Sequence, residues 1–106
     1  MNITGVGTDI IEISRIEKAV KSEHFINRIY TANEKDYASS KHNPFQTYAG
    51  MFAAKESAVK AMGGVITDYE VLHTAEGKPY LNKPNTHLSI SHCNEYAVAF
   101  VVAYDC

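Results

Sequence analysis

The 106-residue sequence has few cysteines, no long apolar run and no excess of basic charge. Its two cysteines, Cys93 and Cys106, are too few for a disulfide framework, so free thiols are expected. Ten Lys and Arg residues against twelve Asp and Glu residues give a net charge of −2, which argues against a nucleic-acid binder that uses a broad basic face. No segment is long and apolar enough to cross a membrane. We therefore expect neither nucleic acid nor a membrane as a partner.

The N-terminal segment also lacks the features of a secretory signal. It has no basic start followed by an apolar run and a small-residue cleavage site, so a cytoplasmic protein is expected. The length suits one domain over 1–106, and a composition with 45% hydrophobic and 21% charged residues is typical of an ordinary globular protein.

The segment 43–64 carries the strongest helix signals in the chain. Asn43 is a good N-cap, Pro44 suits the first helical position, and Gly63 with Gly64 can end the helix in a left-handed conformation. Apolar residues recur between them at three- and four-residue spacing, which predicts a helix packed against a core. The members of this stripe are Phe45, Tyr48, Ala49, Phe52, Val59 and Met62.

The rest of the first half predicts one strand and three shorter helices. Residues 2–13 are rich in isoleucine and valine and include Gly5 and Gly7, where another backbone can approach closely. Capping-box patterns predict two of the helices: Ser14 with Glu17 for 15–22, and Thr31 with Glu34 for 32–40. A third short helix is expected at 24–29.

The second half has the pattern of strands. Residues 66–74 and 79–82 flank a Gly-Lys-Pro turn and predict one hairpin, and 87–92 with 96–104 predict another. The last strand is apolar at nearly every position, so we expect it to be covered on both faces. Helices followed by strands predict an α+β fold, with a long helix packed on a small antiparallel sheet.

Two carboxylates stand inside apolar patterns: Asp9 in the first strand and Glu56 on the long helix. Buried charges need compensation, so both could face one divalent cation, for which Mg²⁺ is the natural candidate. The alternatives are a capped turn at Asp9 and an ordinary ion pair of Glu56 with Lys60 or Lys55. The spacing alone favours these alternatives.

Two further features are weaker. Lys60 precedes Gly63 near the helix end, where an ammonium and backbone N–H groups could hold a phosphate, although this pattern is also ordinary helix termination. His92 could donate a hydrogen bond to a ligand or be a structural residue. Arg15 and Lys18 share one side of the first helix, which would normally be a solvated face.

Five segments together resemble the bacterial holo-[acyl-carrier-protein] synthases of the phosphopantetheinyl transferases. They are GVGTDIIEISRI (5–16), FINRIYTANE (25–34), GMFAAKESAVKAMG (50–63), EGKPYL (76–81) and LSISHCNEYAVAFVV (88–102). The specific blocks are Gly-x-Asp near the N-terminus and Phe-Ala-Ala-Lys-Glu-Ser-x-x-Lys on a helix, in the order and separation typical of that family. The resemblance runs nearly from end to end of the chain.

This resemblance implies transfer of 4′-phosphopantetheine from coenzyme A to a serine of apo acyl carrier protein, with Mg²⁺ and a homotrimer whose sites lie at subunit interfaces. It implies that Asp9 and Glu56 bind the metal and that Lys60 stabilises phosphate charge. Glu56 would take the serine proton, directly or through a metal-bound water. Gly63 and His92 would contact coenzyme A, and Arg15 with its basic neighbours, Lys18 among them, would meet the carrier protein. In the trimer, Asp9 of one subunit is expected opposite the Glu56 helix of the next.

The sequence departs from the family pattern at three places. Met51 stands where the family usually has arginine, the segment 63–69 is short and lacks the common Gly-Thr-Gly, and the first helix has fewer arginines. These differences leave two alternatives open. One is a non-catalytic module that binds carrier proteins or nucleotides, and the other is a transferase for a secondary-metabolite carrier protein.

Overall fold

The computed structural model describes residues 1–105 as an α+β fold. The helices in this part of the chain are α1 (Ile13–Ala19), α2 (Glu23–Ile29), α3 (Ala32–Ser39) and α4 (Pro44–Met62), with a short 3-10 helix at Ile66–Asp68. The strands are β1 (Ile3–Glu12), β2 (Val71–His73), β3 (Pro79–Leu81), β4 (Thr86–His92) and β5 (Tyr96–Tyr104).

The long helix α4 begins and ends where its sequence signals predict. The Asn43 side chain accepts a hydrogen bond from the Gln46 backbone N–H at 3.4 Å, and Pro44 occupies the first helical position. Gly63 follows the last helical residue with a φ of 83°, in the region that favours glycine. The predicted bounds of this helix are confirmed.

For the shorter helices, one predicted cap is present and another is not. Thr31 and Glu34 form the predicted capping box of α3, with Glu34 accepting from the Thr31 backbone N–H at 2.8 Å. The predicted Ser14 cap is wrong, because α1 begins one residue before it, at Ile13, and has no side-chain cap. Strand β1 runs directly into α1, so the chain enters this helix without a loop in which a serine could cap it.

The strands form two antiparallel sheets. The larger sheet has the order β1-β5-β4, so the N-terminal and C-terminal strands of the fold are neighbours, and β2 pairs with β3 in a smaller one. In the register of the larger sheet, Asp9 lies opposite Ala99, and Ile90 lies opposite Ala99 on the other side. The long helix packs on one face of this sheet, as the predicted fold class requires.

The buried face of α4 differs from the predicted stripe. Tyr48 and Ala49 are buried as expected, but the other four members of the stripe are only partly buried. The deepest positions are instead taken by Met51 and by small residues, Ala53, Ala54, Ser57 and Ala58. Small side chains let the helix backbone lie close to the sheet, and this close approach moves the larger apolar groups to its flanks.

The outer face of the larger sheet is open in the single chain. Ala97, Ala99 and Val101 of β5 are buried under α4, whereas Val98 and Phe100, which alternate with them, are exposed. The prediction that this strand is covered on both faces is therefore wrong for one chain. The helices lie on one side of the sheet, so the apolar groups on the other side have no cover within the chain.

The first predicted hairpin is shorter than expected. Part of 66–74 is the 3-10 helix, and only Val71–His73 pairs with Pro79–Leu81. Cys93 is a free, exposed thiol, as predicted, and Cys106 lies outside the described residues. Within residues 1–105, none of the helices combines the length and apolar character needed to span a membrane.

Candidate active site

The candidate site lies where β1 crosses the C-terminal half of α4. Two glycines of β1 face the helix, and neither has room for a side chain. A Cβ atom at Gly5 would overlap the carbonyl oxygen of Ala61, and one at Gly7 would overlap that of Ser57. The strand and the helix backbone are therefore in direct contact. Because strand residues alternate, Asp9 lies on the same helix-facing side as these glycines.

Asp9 contacts Lys60 of the same chain. The Lys60 Nζ atom lies 3.3 Å from Asp9 Oδ1 and donates a second hydrogen bond to the Thr8 carbonyl oxygen at 2.8 Å. The Asp9 side chain is 19% exposed and the Lys60 side chain is 53% exposed, so solvent reaches the pair from the lysine side. Within one chain, Asp9 therefore already meets the long helix, because the glycines dock β1 onto α4; the expected contact with the helix of a neighbouring subunit stays a prediction.

Glu56 lies one helical turn before Lys60 and is half-buried. Within residues 1–105 it forms no ion pair: Lys60 pairs with Asp9, and Lys55 pairs with Glu34. The alternative of an ordinary ion pair between Glu56 and Lys60 or Lys55 is therefore wrong. Glu56 is a carboxylate on the same side of α4 as Lys60 and has no cation of its own.

The end of α4 adds backbone groups near this pair. Gly63 is exposed, and its N–H donates to the Val59 carbonyl at 2.7 Å. Its carbonyl accepts from the Tyr69 hydroxyl at 2.6 Å, a contact that closes the short 63–69 segment. A Cβ atom at Gly63 would meet nothing within 4 Å, so the space beside it is open.

His92 lies at the end of β4, away from the Asp9–Lys60 pair. It lines a cavity of about 210 Å³ together with Met51, Gly50 and Ile90. Met51 is 1% exposed, so the position that departs from the family pattern is part of the core and also of this cavity wall. None of Asp9, Glu56 and Lys60 lines this cavity.

A flat aromatic wall in the same cavity was not predicted. The rings of Tyr37 and His73 stack with centroids 3.6 Å apart and planes 5° from parallel. Burial, with a smaller contribution from the charge of Lys41, holds the pKa of His73 below its ordinary value, so the ring is neutral near pH 7. Tyr37 and His73 come from α3 and β2, and no spacing in the sequence indicates that they meet.

A second cavity, of about 270 Å³, lies at the start of α1 and contains none of the predicted site residues. Glu12, Glu17 and Glu95 line it. Arg15 and Lys18 are both exposed on α1, three residues apart, while Ile13 and Ile16 face the core. The predicted basic side of α1 is therefore accessible.

The donors for a metal ion are sparse. Residues 1–105 contain no group of three or more His, Cys, Asp and Glu side chains arranged to hold a metal. Asp9 and the unpaired Glu56 carboxylate nevertheless match the preference of Mg²⁺, which commonly takes one or two protein carboxylates and fills its other positions with water and substrate phosphate. The donor set thus fits a magnesium ion shared with a phosphorylated substrate better than a closed structural site.

Comparison with known proteins shows the family of this chain. The family model of the 4′-phosphopantetheinyl transferase superfamily matches residues 5–101. The holo-[acyl-carrier-protein] synthase of Fusobacterium nucleatum subsp. nucleatum is 43% identical, with 94% of this chain and 98% of the relative covered. That of Protochlamydia amoebophila is 41% identical, with 92% and 95% covered.

A solved structure extends the agreement to the fold. The holo-(acyl-carrier-protein) synthase from Bacillus anthracis str. Ames in complex with CoA (3′,5′-ADP) superimposes with a TM-score of 0.84 at 42% identity, over 96% of both chains. The chain belongs to the 4′-phosphopantetheinyl transferase superfamily.

Proposed function

We propose that this chain, as a single domain over 1–106, transfers the 4′-phosphopantetheine group of coenzyme A to a serine of apo acyl carrier protein and releases adenosine 3′,5′-bisphosphate. The observation that carries the proposal is the meeting of Asp9 with Lys60, one turn from the unpaired Glu56, in a chain with full-length holo-[acyl-carrier-protein] synthase relatives. Two carboxylates, one bonded to a solvent-accessible ammonium and one a helical turn from it, suit a substrate that is itself a pyrophosphate.

Asp9 and Glu56 are proposed to hold Mg²⁺. When bound, the ion would neutralise charge on the pyrophosphate oxygens of coenzyme A as the phosphoanhydride bond breaks. Lys60 would bind the same phosphates, because its side chain is 53% exposed and its ammonium is held in place by the Thr8 carbonyl. The open space beside Gly63 would admit a phosphate next to the helix end.

The serine hydroxyl must lose its proton as its oxygen attacks the phosphorus that carries the pantetheine group. Glu56 is proposed to accept this proton, directly or through a water, because its carboxylate is not neutralised by a lysine. The bond to the leaving phosphate then breaks, and adenosine 3′,5′-bisphosphate departs. His92 is proposed to contact coenzyme A in the cavity it shares with Met51.

The basic side of α1 is proposed to dock the carrier protein. Arg15 and Lys18 project into solvent from a helix whose other side is anchored by Ile13 and Ile16. An acidic partner surface would be steered to these charges, which raises the association rate and sets the docking orientation.

The open sheet face supports a homotrimer. Val6 and Ile10 of β1 and Val98 and Phe100 of β5 are on this face, Ile10 is paired with Val98, and all four are at least 37% exposed. Contiguous exposed apolar surface of this kind is typical of a contact with another chain.

We place the enzyme in the cytoplasm, the compartment that supplies coenzyme A to the carrier protein.

The test is intact-mass spectrometry of apo acyl carrier protein incubated with this protein, coenzyme A and Mg²⁺, with an EDTA-treated sample as the control. We expect a gain of one phosphopantetheine that EDTA abolishes. Binding of the carrier protein without this gain would indicate the non-catalytic module instead. Competition between apo carrier proteins of fatty-acid and secondary-metabolite synthesis identifies the preferred partner.

A further inference from the structure

A buried ion pair lies beside the proposed site without taking part in it. Lys55, the residue before Glu56, is 1% exposed, and its partner Glu34 on α3 is 0% exposed. The Lys55 Nζ atom lies 2.5 Å from Glu34 Oε1. Fully buried lysine and glutamate residues are rare in proteins, so their presence here requires an explanation.

Every polar atom of this pair is matched. The Glu34 carboxylate accepts from the backbone N–H of Thr31 at 2.8 Å and from that of Val71 at 2.7 Å, while Lys55 donates also to the Ile29 carbonyl at 2.6 Å. The pair therefore joins the end of α2, the start of α3, the middle of α4 and strand β2 at one point.

Stability alone does not account for such a pair. Removing two charges from water is costly, and well-packed apolar residues in their place are often as stabilising or more so. What a directional, fully bonded network supplies is a fixed geometry. The network therefore holds one part of the molecule at one orientation.

That part is α4, and the orientation concerned is the rotation of this helix about its own axis. At ~100° per residue, Glu56 projects ~100° around the helix from Lys55, and Lys60 projects ~140° from it. Ser57 and Ala61, whose backbones touch Gly7 and Gly5, lie at ~200° and ~240°. The Ser57 hydroxyl also bonds the Ala99 carbonyl at 3.1 Å. The helix is thus anchored on two sides, and Glu56 and Lys60 occupy the sector between them.

We propose that Lys55 and Glu34 are positioning residues that set the rotation of α4, so that the Glu56 carboxylate stays on the side of the helix where Lys60 meets Asp9. This inference rests on the proposed function, in which Glu56 binds the metal ion. Without the pair, α4 loses its bonds to Ile29 and Glu34 but keeps its packing on β1 and β5, so the side of the helix that carries Glu56 can turn.

The test measures metal binding without turnover. Mn²⁺ replaces Mg²⁺, and its binding in the presence of coenzyme A, but without carrier protein, is followed by electron paramagnetic resonance. The variant is the double substitution Lys55→Met with Glu34→Gln, which removes both charges and retains an acceptor at position 34. We expect the Mn²⁺ dissociation constant to rise about ten- to hundredfold, the range seen when residues that orient metal ligands are replaced.

A matched control separates positioning from general destabilisation. Ile16→Val removes one buried methyl group from α1, a helix that carries neither member of the pair nor a proposed metal ligand. We expect its Mn²⁺ dissociation constant to equal that of the unmodified protein, even where its thermal stability falls as far as that of the double variant. In transfer assays the double variant should lose kcat, while the KM for carrier protein stays the same.

The outcomes distinguish the two proposals. If the unmodified protein binds Mn²⁺ and Glu56→Gln does not, an unchanged dissociation constant in the double variant overturns the positioning role and leaves the function standing. If the unmodified protein neither binds Mn²⁺ nor transfers phosphopantetheine, the proposed function itself fails. Should the double variant not fold, Lys55→Gln with Glu34→Gln replaces it, because two neutral amides leave no unpaired buried charge; the expected rise and the refuting result are the same.

Discussion

The contact between Gly7 and α4 can be tested by adding a single methyl group. Gly7 needs no unusual backbone angle, so Gly7→Ala changes only the space between strand and helix. The new Cβ would lie 2.9 Å from the Ser57 carbonyl carbon and 3.0 Å from the Ala61 nitrogen, and it would overlap the Ser57 oxygen. These are backbone atoms, so no side chain can move aside, and strand or helix must shift.

The expected cost is at the upper end of that for overpacking a core, about 3 kcal/mol of unfolding free energy. For a domain of this size that corresponds to a fall in Tm of roughly 12–24 °C. The shift would also separate Asp9 from Lys60, so transfer activity per folded molecule should fall. Urea denaturation gives the free energy, and the mass assay gives the activity.

Gly77→Ala is the matched control. Gly77 has a φ of 90° and open space around its Cβ position, so alanine there costs only the backbone preference, about 1 kcal/mol. Equal unfolding free energies for Gly7→Ala and the unmodified protein would refute the close packing of β1 on α4. A large loss for Gly77→Ala would show that the comparison does not isolate the steric effect.

Four further predictions concern the site and its surroundings. Glu56→Gln should leave a folded protein, as judged by circular dichroism, with transfer reduced by roughly 10²–10⁴-fold at any Mg²⁺ concentration, and near-normal turnover would contradict its role. Arg15→Glu should raise the KM for carrier protein several-fold with little effect on the KM for coenzyme A, since the charge lies on the proposed docking helix; equal effects would count against docking. Phe100→Glu should convert the proposed trimer into monomers in light-scattering measurements, because the charge would be buried between subunits, whereas an unchanged mass would exclude the open sheet face as the interface. The pKa of His73 is lower in the folded protein than in the unfolded chain, so the unfolded chain binds a proton at His73 first as the pH falls below 6.5. The unfolding free energy should therefore decrease with falling pH until the folded-state pKa is passed. His73→Phe should flatten this dependence, and an unaltered pH profile would rule out His73 as its source.

The parts of the fold that the sequence predicted depend on local signals. Asn43, Pro44 and Gly63 define the ends of α4 through bonds within a few residues, and Thr31 with Glu34 does the same for α3. These interactions are short in sequence, so they can be recognised before the tertiary structure is known.

The buried face of α4 was harder to predict because it depends on distance between backbones. A search for large apolar groups favours Phe52 and Val59, whereas the close approach of β1 buries Ala58 and Ser57 more deeply. Gly5 and Gly7 indicated a close approach, but the sequence does not say which element makes it.

The candidate site was likewise predicted only in part from the sequence. Asp9 and Glu56 were identified as unusual carboxylates from their apolar neighbours, but the pairing of Lys60 with Asp9, 51 residues away, needed the fold. Lys55 was considered only as a partner for Glu56. Its burial against Glu34 depends on three other segments, and no helical spacing reports it.

The glycines of β1 also limit how the chain can fold incorrectly. A slip of β1 by one residue against β5 would exchange the two faces of the strand and bring Val6 and Thr8 to the places that Gly5 and Gly7 now occupy. Their side chains would collide with the backbone of α4, so a misregistered chain could not close its core. The strand alignment that avoids this collision is the one that brings Asp9 to Lys60, so molecules with a closed core also carry this contact.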